Sequence, residues 1–254
     1  MIYIATSTKG GVGKSTFISQ IAAAYVLRNN DHVRLIEIDD ENKDSVTFAK
    51  SDTIKTEIIP TSKISSIDEI FINEGEDDIL LDIGGNKTST AFLQEMKKLN
   101  EFNNVVWFVP LRSGEQDNQN ALDTYNRIAE MDKNCTVIFV LSDARKIDDI
   151  EYEFLHFFGS QFLNTEMAIM KQIPNAKYVS IQSSAIINYS RTFNKTVRDI
   201  SKGEIDFMAE AKKEKADKFL RSKYLFLNRV KNEAIEYMQY LEDVVFPEID
   251  GHLL

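Results

Sequence analysis

"ATSTKGGVGKSTF", residues 5–17, decides how the rest of the chain is read. It follows a short apolar, β-favouring run, IYIAT at 2–6. It opens a stretch in which Phe17, Ile18, Ile21, Ala22 and Tyr25 recur at helical spacing. A glycine-rich turn between a strand and a helix is the setting in which a phosphate cradle forms. The glycines let backbone N–H groups turn toward phosphate oxygens, and the helix N-terminus adds partial positive charge. In such a cradle Gly10, Gly11, Val12, Gly13, Lys14, Ser15 and Thr16 surround the phosphates. Lys14 contacts the β- and γ-phosphates, and the Ser15 hydroxyl holds Mg2+. Lys9, at the front of the run, is not needed by an ordinary cradle.

Working outward, further strand-like runs lie at 33–38, 57–60, 79–83, 104–109, 136–141 and 168–173. Several are nearly continuous apolar runs, as parallel strands covered on both faces must be. Trp107 falls inside one and is expected in the core. Helical patterns lie between them at 15–29, 64–74, 87–100, 115–132 and 148–158. The alternation predicts an α/β fold, a doubly wound and mostly parallel sheet. After about residue 178 the strands are expected to stop. Residues 188–202 read as one helix closed by Gly203, and 205–246 as a long helix or two, with Leu227, Val230, Ala234, Tyr237, Leu241 and Val244 at 3–4 spacing. This suggests a phosphate-loop domain over 1–203 and a helical C-terminal extension over 204–254, packed on that domain or on a dimer partner.

The 254 residues carry a net charge of −10. The segment 171–231 alone has 14 Lys and Arg against 6 Asp and Glu, so the remainder is strongly acidic. A split of this kind suits a polyanion partner on one face. Arg191, Lys195, Arg198 and Lys202 are spaced 4, 3 and 4. On one continuous helix they form a row of cations opposite Phe193, Val197 and Ile200, able to neutralise several phosphates without reading bases. The single cysteine, Cys135, cannot form an internal disulfide and reads as a strand thiol. His32, His156 and His252 share no ligand-like spacing. No window approaches the ~18 apolar residues of a membrane span, and no basic-then-apolar signal region is seen. A reduced, cytoplasmic protein is expected.

The run KGGVGKST resembles the deviant Walker A motif of the ParA/MinD family of ATPases. The resemblance spans roughly residues 1–200 and is specific over the first 85. It implies a slow, partner-stimulated ATPase that sandwiches two ATP molecules between two protomers. Lys9 would reach across the two-fold axis to the partner's γ-phosphate, as an arginine finger does. Lys9, Lys14 and Asp39 would then be the catalytic set. Asp39, in "LIEIDDENKDS", matches the residue that positions the attacking water or a metal-bound water. Glu37, Asp40 and Glu41 stand where the family more often shows Asp, Pro and Gln. Asp82, in "ILLDIGG", occupies the Walker B position and would hold Mg2+ together with Ser15. Gly84 and Gly85 supply a mobile turn where Thr and Pro are commoner. Adenine contacts are expected from "LSDARK" (Ser142, Asp143, Arg145) and "QIPNAK" (Pro174, Asn175).

Among functions, the resemblance favours a ParA-like ATPase that binds nonspecific double-stranded DNA as an ATP-dependent homodimer. It would associate with the nucleoid and segregate or position plasmid or chromosomal cargo. A site-specific DNA-binding adaptor would stimulate its hydrolysis. An accessory ATPase of a conjugation or secretion system is the near alternative. A MinD-like membrane-cycling ATPase needs a basic amphipathic end. The stretch "EAIEYMQYLEDVVFPEIDGHLL" instead carries Glu233, Glu236, Glu242, Asp243, Glu248 and Asp250, which anionic lipid repels. No membrane partner is therefore expected. Metal-carrier relatives need clustered cysteines and tyrosine-kinase relatives a terminal tyrosine cluster; neither is present. A nucleotide-binding scaffold without turnover is the remaining alternative.

Overall fold

The computed structural model describes residues 1–39, 48, 51–72, 78–99, 102, 104–163, 165–214 and 217–253. Asp40 and Glu41 lie outside the described residues. Seven strands form one sheet: β1 (Ile2–Ala5), β2 (Val33–Ile38), β3 (Ile54–Ile59), β4 (Ile79–Ile83), β5 (Val105–Leu111), β6 (Thr136–Ala144) and β7 (Lys177–Gln182). Their order is β3-β2-β4-β1-β5-β6-β7, and every pairing is parallel. The expected doubly wound parallel sheet is therefore observed.

Alternation along each strand builds two cores. Tyr3 and Ala5 face one side and Ile2 and Ile4 the other. On the second side Trp107, fully buried as expected, packs edge-on against Phe92 at 6.2 Å. That side is covered by α2 (Asp68–Ile72), α3 (Lys87–Leu99), α4 (Glu115–Met131) and the short turns α5 (Ile150–Glu153), α6 (Leu155–Phe158) and α7 (Ile169–Gln172). The expected helix over 148–158 is broken at Phe154, which leaves helical geometry with ψ 43.

The first side is covered by α1, a helix over 14–26 whose middle stretch Phe17–Ala22 has the wider π-type winding, and by the C-terminal helices. These are α8 (Ile186–Phe193), α9 (Val197–Ser201), α10 (Phe207–Lys213), α11 (Lys218–Tyr240) and α12 (Phe246–Leu253), the last two joined by a π-type turn, Leu241–Val245. Leu241, Val245, Phe246 and Ile249 are fully buried and share a core with Tyr3 and Tyr25. Arg28 and Tyr25 both bond Asp250, at 2.9 and 2.7 Å. The C-terminal helices thus complete the covering of the sheet in the same chain.

Three expectations need correcting. Residues 168–173 are not a strand. Ala168 O accepts from Lys171 and Gln172 N–H, closing a helical turn that stops before Pro174. The seventh strand is Lys177–Gln182, an edge strand whose alternation (Val179 and Ile181 buried, Lys177 and Gln182 exposed) lacks the continuous apolar run of the central strands. Residues 188–202 are not one helix. Asn194 adopts left-handed φ 52 and ends α8, and Thr196 starts α9 through a reciprocal capping box with Asp199. Finally, Cys135 is half-buried just ahead of β6 rather than inside it, and burial pushes its thiol up to about 11.

Candidate phosphate-binding site

Register places the site. Ala5, the last residue of β1, pairs with Asp82 on β4 and Phe108 on β5, while Glu37 on β2 also pairs with Asp82. The glycine-rich turn, Glu37 and Asp82 therefore reach the carboxyl edge of the sheet at one level, where open α/β sheets bind ligands. Gly11 and Gly13 have φ +75 and +99, the left-handed region where a side chain is strained. A Cβ on Gly13 would also meet Ser142 Oγ at 3.1 Å. Phe17 N–H donates to Gly13 O, launching α1 directly from the turn.

A cavity of about 430 Å³ lies over this turn, lined by Gly10, Gly11, Gly13, Lys14, Ser15, Thr16, Glu37, Asp39, Asp82, Gly84, Gly85, Arg112 and Arg191. Val12 is buried beneath the turn and does not line it. Lys14 is 7% exposed, and its ammonium donates to Lys9 O at 3.2 Å. Burial lowers its pKa, partly offset by Asp82 and then Asp39. The turn after β4 is pressed against its neighbours. Gly84 N–H donates to Ile38 O at 2.8 Å. Ser89 Oγ donates to Gly84 O at 2.5 Å and to Ser7 O at 2.8 Å, tying that turn to the root of the phosphate loop.

The Ser15 hydroxyl and the Asp39 and Asp82 carboxylates line one wall system, a hard-oxygen donor set that fits Mg2+. Among the described residues no group of three or more Asp, Glu, His or Cys side chains is arranged to hold a metal. The remaining donors would be phosphate oxygens and water, the usual arrangement for Mg2+ on a nucleotide.

A second cavity of about 280 Å³ adjoins the first and shares Gly13, Thr16, Arg112 and Arg191 with it. Its far wall is Ser142, Asp143, Gln182, Ser183, Ser184, Asn188 and Tyr237. Ser142 and Asp143, near the end of β6, line this second cavity, while Arg145 does not, and its N–H donates to Glu153. Pro174 and Asn175 are exposed and precede β7, at the opposite edge of the sheet from the phosphate loop. Ser183 and Ser184, which follow β7, line the second cavity, and Pro174 and Asn175 do not. The displaced strand assignment is the cause.

The cation row is also rearranged. Arg191 Nη2 donates to Thr16 Oγ1 at 2.8 Å and lines both cavities. Arg198 turns inward and donates to Leu27 O at 3.2 Å, at the end of α1. Lys195 and Lys202 are exposed. The kink at Asn194 and the capping at Thr196 destroy the single arc. Lys9 ion-pairs with Asp117 in the first turn of α4 of its own chain, with Lys9 38% and Asp117 10% exposed. Asp117, Arg112, Ser183 and Ser184 carry no motif in the sequence, and Tyr237 stands out there only in the apolar pattern of a helix. Arg112 alone carried a usable signal, a cation just past the carboxyl end of an apolar strand.

A family model described as the CobQ/CobB/MinD/ParA nucleotide binding domain matches residues 3–252. No curated protein matches the chain. Among solved structures, a McdA variant from Cyanothece in complex with ATP superposes with TM-score 0.53 at 9% identity, covering 90% of this chain and 95% of that one. MinD cell division protein from Aquifex aeolicus gives 0.52 at 16%, covering 94% and 96%. A putative plasmid partition protein from Borrelia burgdorferi bound to AMPPNP gives 0.51 at 14%, covering 90% and 97%. At these identities the structural likeness speaks for the fold. Among the described residues no helix is long and apolar enough to cross a membrane.

Proposed function

The chain belongs to the CobQ/CobB/MinD/ParA nucleotide-binding domain family, and on that premise we propose that it is a ParA-like ATPase whose ATP-bound dimer holds nonspecific DNA and positions a DNA cargo. One observation carries the chemistry. The left-handed glycines Gly11 and Gly13 open the cradle at the carboxyl edge of β1, and Lys14, Asp39 and Asp82 converge on the same cavity.

ATP lies with its phosphates over Gly10–Thr16. Backbone N–H groups and Lys14 contact the β- and γ-phosphates, and Ser15 with Asp82 would hold Mg2+, which when bound neutralises phosphate charge. Asp39 orients the attacking water. Lys9 leaves Asp117 and reaches the partner's γ-phosphate, which makes closure of the dimer depend on that phosphate. The DNA-facing cations are the exposed Lys195 and Lys202, joined by exposed Lys212, Lys218 and Arg221 of the C-terminal helices. Dimerisation doubles this set and steepens the affinity. An adaptor protein that reads the cargo's DNA stimulates hydrolysis and releases the dimer.

The test is retention on nonspecific duplex DNA with ATP, ADP or no nucleotide, across a salt series. Wild type is compared with Lys9→Ala and a Lys195→Ala/Lys202→Ala double variant. ATP-dependent, salt-sensitive retention lost in Lys9→Ala and weakened in the double variant is expected. Absence of retention with every nucleotide, in protein that binds ATP, would overturn the DNA-positioning reading.

A further inference from the structure

A nucleotide seated on the phosphate loop with its base in the adjoining cavity must cross the junction between the two. That junction is flanked by two guanidinium groups, Arg112 after β5 and Arg191 in the last turn of α8, and both line both cavities. Arg191 is held in place. The α8–α9 segment is clipped along α1 at three levels: Arg191 to Thr16 Oγ1 at 2.8 Å, Val197 N–H to Gln20 Oε1 at 2.8 Å, and Arg198 to Leu27 O at 3.2 Å. The clip sets the guanidinium beside the first turn of α1, next to the N–H groups that cradle phosphate.

The charges around the site favour such a group beside the Mg2+ that Ser15 and Asp82 would hold. Glu37, Asp39 and Asp82 all line the phosphate cavity. Lys14 is a single point charge, and Lys9 is engaged with Asp117. Neither Arg112 nor Arg191 makes a salt bridge among the described residues. A planar guanidinium offers several N–H donors in a fork that matches phosphate oxygens.

We propose that Arg191 and Arg112 form a guanidinium clamp, within one protomer, on the phosphate chain of a nucleoside di- or triphosphate where it passes from the phosphate loop to the base cavity. The proposal rests on the nucleotide-binding reading above and extends it: Arg191 is a nucleotide ligand, not part of the DNA face. It also links the nucleotide to the C-terminal helices. α8, which carries Arg191, stacks Tyr189 edge-on against Phe226 of α11 at 5.6 Å, and Ser184 donates to Glu233 of α11 at 3.2 Å.

The experiment is calorimetric binding of ATP and ADP to the full chain at two salt concentrations, for wild type, Arg191→Ala, Arg191→Lys, Arg112→Ala and Lys14→Ala, with thermal unfolding as the check on folding. Arg191→Ala and Arg112→Ala are each expected to weaken both nucleotides about ten- to hundredfold, the worth of a charge-assisted hydrogen-bonded contact. Both should show a shallower salt dependence. Arg191→Lys should recover part of the loss, since an ammonium restores charge without the fork. Wild-type affinity in both arginine variants, alongside lost binding in Lys14→Ala, would overturn the clamp and leave the phosphate loop standing. Loss of affinity in Arg191→Ala with an unchanged salt dependence and no recovery in Arg191→Lys would mark Arg191 as a wall of the cavity, which also overturns the clamp. Failure of the wild type itself to bind ATP would overturn the nucleotide reading, and the clamp with it.

Discussion

Gly84→Ala separates nucleotide binding from hydrolysis. Gly84 has ordinary backbone geometry, so alanine is not strained at its own position. Its new Cβ would stand 2.7 Å from Asp39 Cγ, 2.9 Å from Oδ2 and 3.1 Å from Cβ. Carbon atoms in contact settle at about 3.5–4.0 Å, so the carboxylate must retreat by about 1 Å. The Asp39 carboxylate can rotate away at about 0.5–1.5 kcal/mol for an off-rotamer χ, while its Cβ must give by a few tenths of an ångström. That corresponds to roughly 1–6 °C in Tm for a chain of this size. A 1 Å misplacement of a group that orients the nucleophile costs roughly hundredfold in rate. The expected outcome is therefore a folded protein with ATP affinity within about threefold of wild type, well under 1.4 kcal/mol, and single-turnover hydrolysis slowed about a hundredfold. Unchanged hydrolysis would refute Asp39 as the water-orienting group. ATP affinity lost in step with hydrolysis would refute confinement of the strain to one side chain. Gly85→Ala is the contrast. Its Cβ would meet Gly10 Cα at 3.0 Å and Gly10 N at 3.1 Å, backbone atoms that cannot rotate aside. The loop itself must shift, at about 1–3 kcal/mol, and ATP binding should weaken.

Asp117→Asn should tighten the ATP-dependent dimer. The Lys9–Asp117 pair must open in both protomers, and at well under 1 kcal/mol for each pair, whose lysine is partly in solvent, the gain is up to about tenfold; analytical ultracentrifugation giving a weaker dimer would count against a lysine delivered in trans. Phe246→Ala removes a fully buried ring from the core shared with Tyr3 and Tyr25, and denaturant unfolding should show a loss of about 3–5 kcal/mol in one transition. An unaffected midpoint would mean that the C-terminal helix is dispensable to the sheet domain. Asp250 is held below the usual carboxylate range, chiefly by its hydrogen bonds from Arg28 and secondarily by Tyr25, against opposing desolvation. Its stabilising contribution is present above the ordinary carboxylate pKa and is lost as pH falls through the depressed one. Because the Asp250 side chain is about half-exposed, Asp250→Asn should cost no more than about 1 kcal/mol at neutral pH, and its stability curve should flatten on the acid side. Equal acid slopes for the two proteins would refute that assignment.

The central sheet was legible because physics writes it twice. Strands buried on both faces must be apolar throughout, and β1, β4 and β5 are buried along their full length. The phosphate loop was legible because its glycines answer to backbone geometry that side chains cannot adopt. β7 was not. As an edge strand it mixes Lys177, Ser180 and Gln182 with Val179 and Ile181. The apolar run just before it, Ala168–Ile173, is too short for periodicity to separate strand from helical turn. Moving the strand by nine residues moved the carboxyl edge with it. Ser183 and Ser184 thus reach the second cavity and Pro174 and Asn175 do not.

The cation row failed for a different reason, and that reason was in the sequence. Spacings of 4, 3 and 4 align side chains only if the helix continues beneath them. The run Thr196-Val197-Arg198-Asp199, which begins between Arg191 and Arg198, is the Thr-x-x-acid pattern of a capping box, and a helix that starts at Thr196 cannot also run through it. Once the chain kinks at Asn194, Arg191 is carried over α1 toward Thr16 and Arg198 is turned to the other end of the same helix. The capping chemistry thus converts what looks like one DNA-facing row into a strap along the phosphate-loop helix. The DNA face proposed for this protein would then be assembled from Lys195, Lys202 and the exposed cations of α10 and α11, while the proposed strap would give the nucleotide site a guanidinium that the phosphate loop alone does not supply.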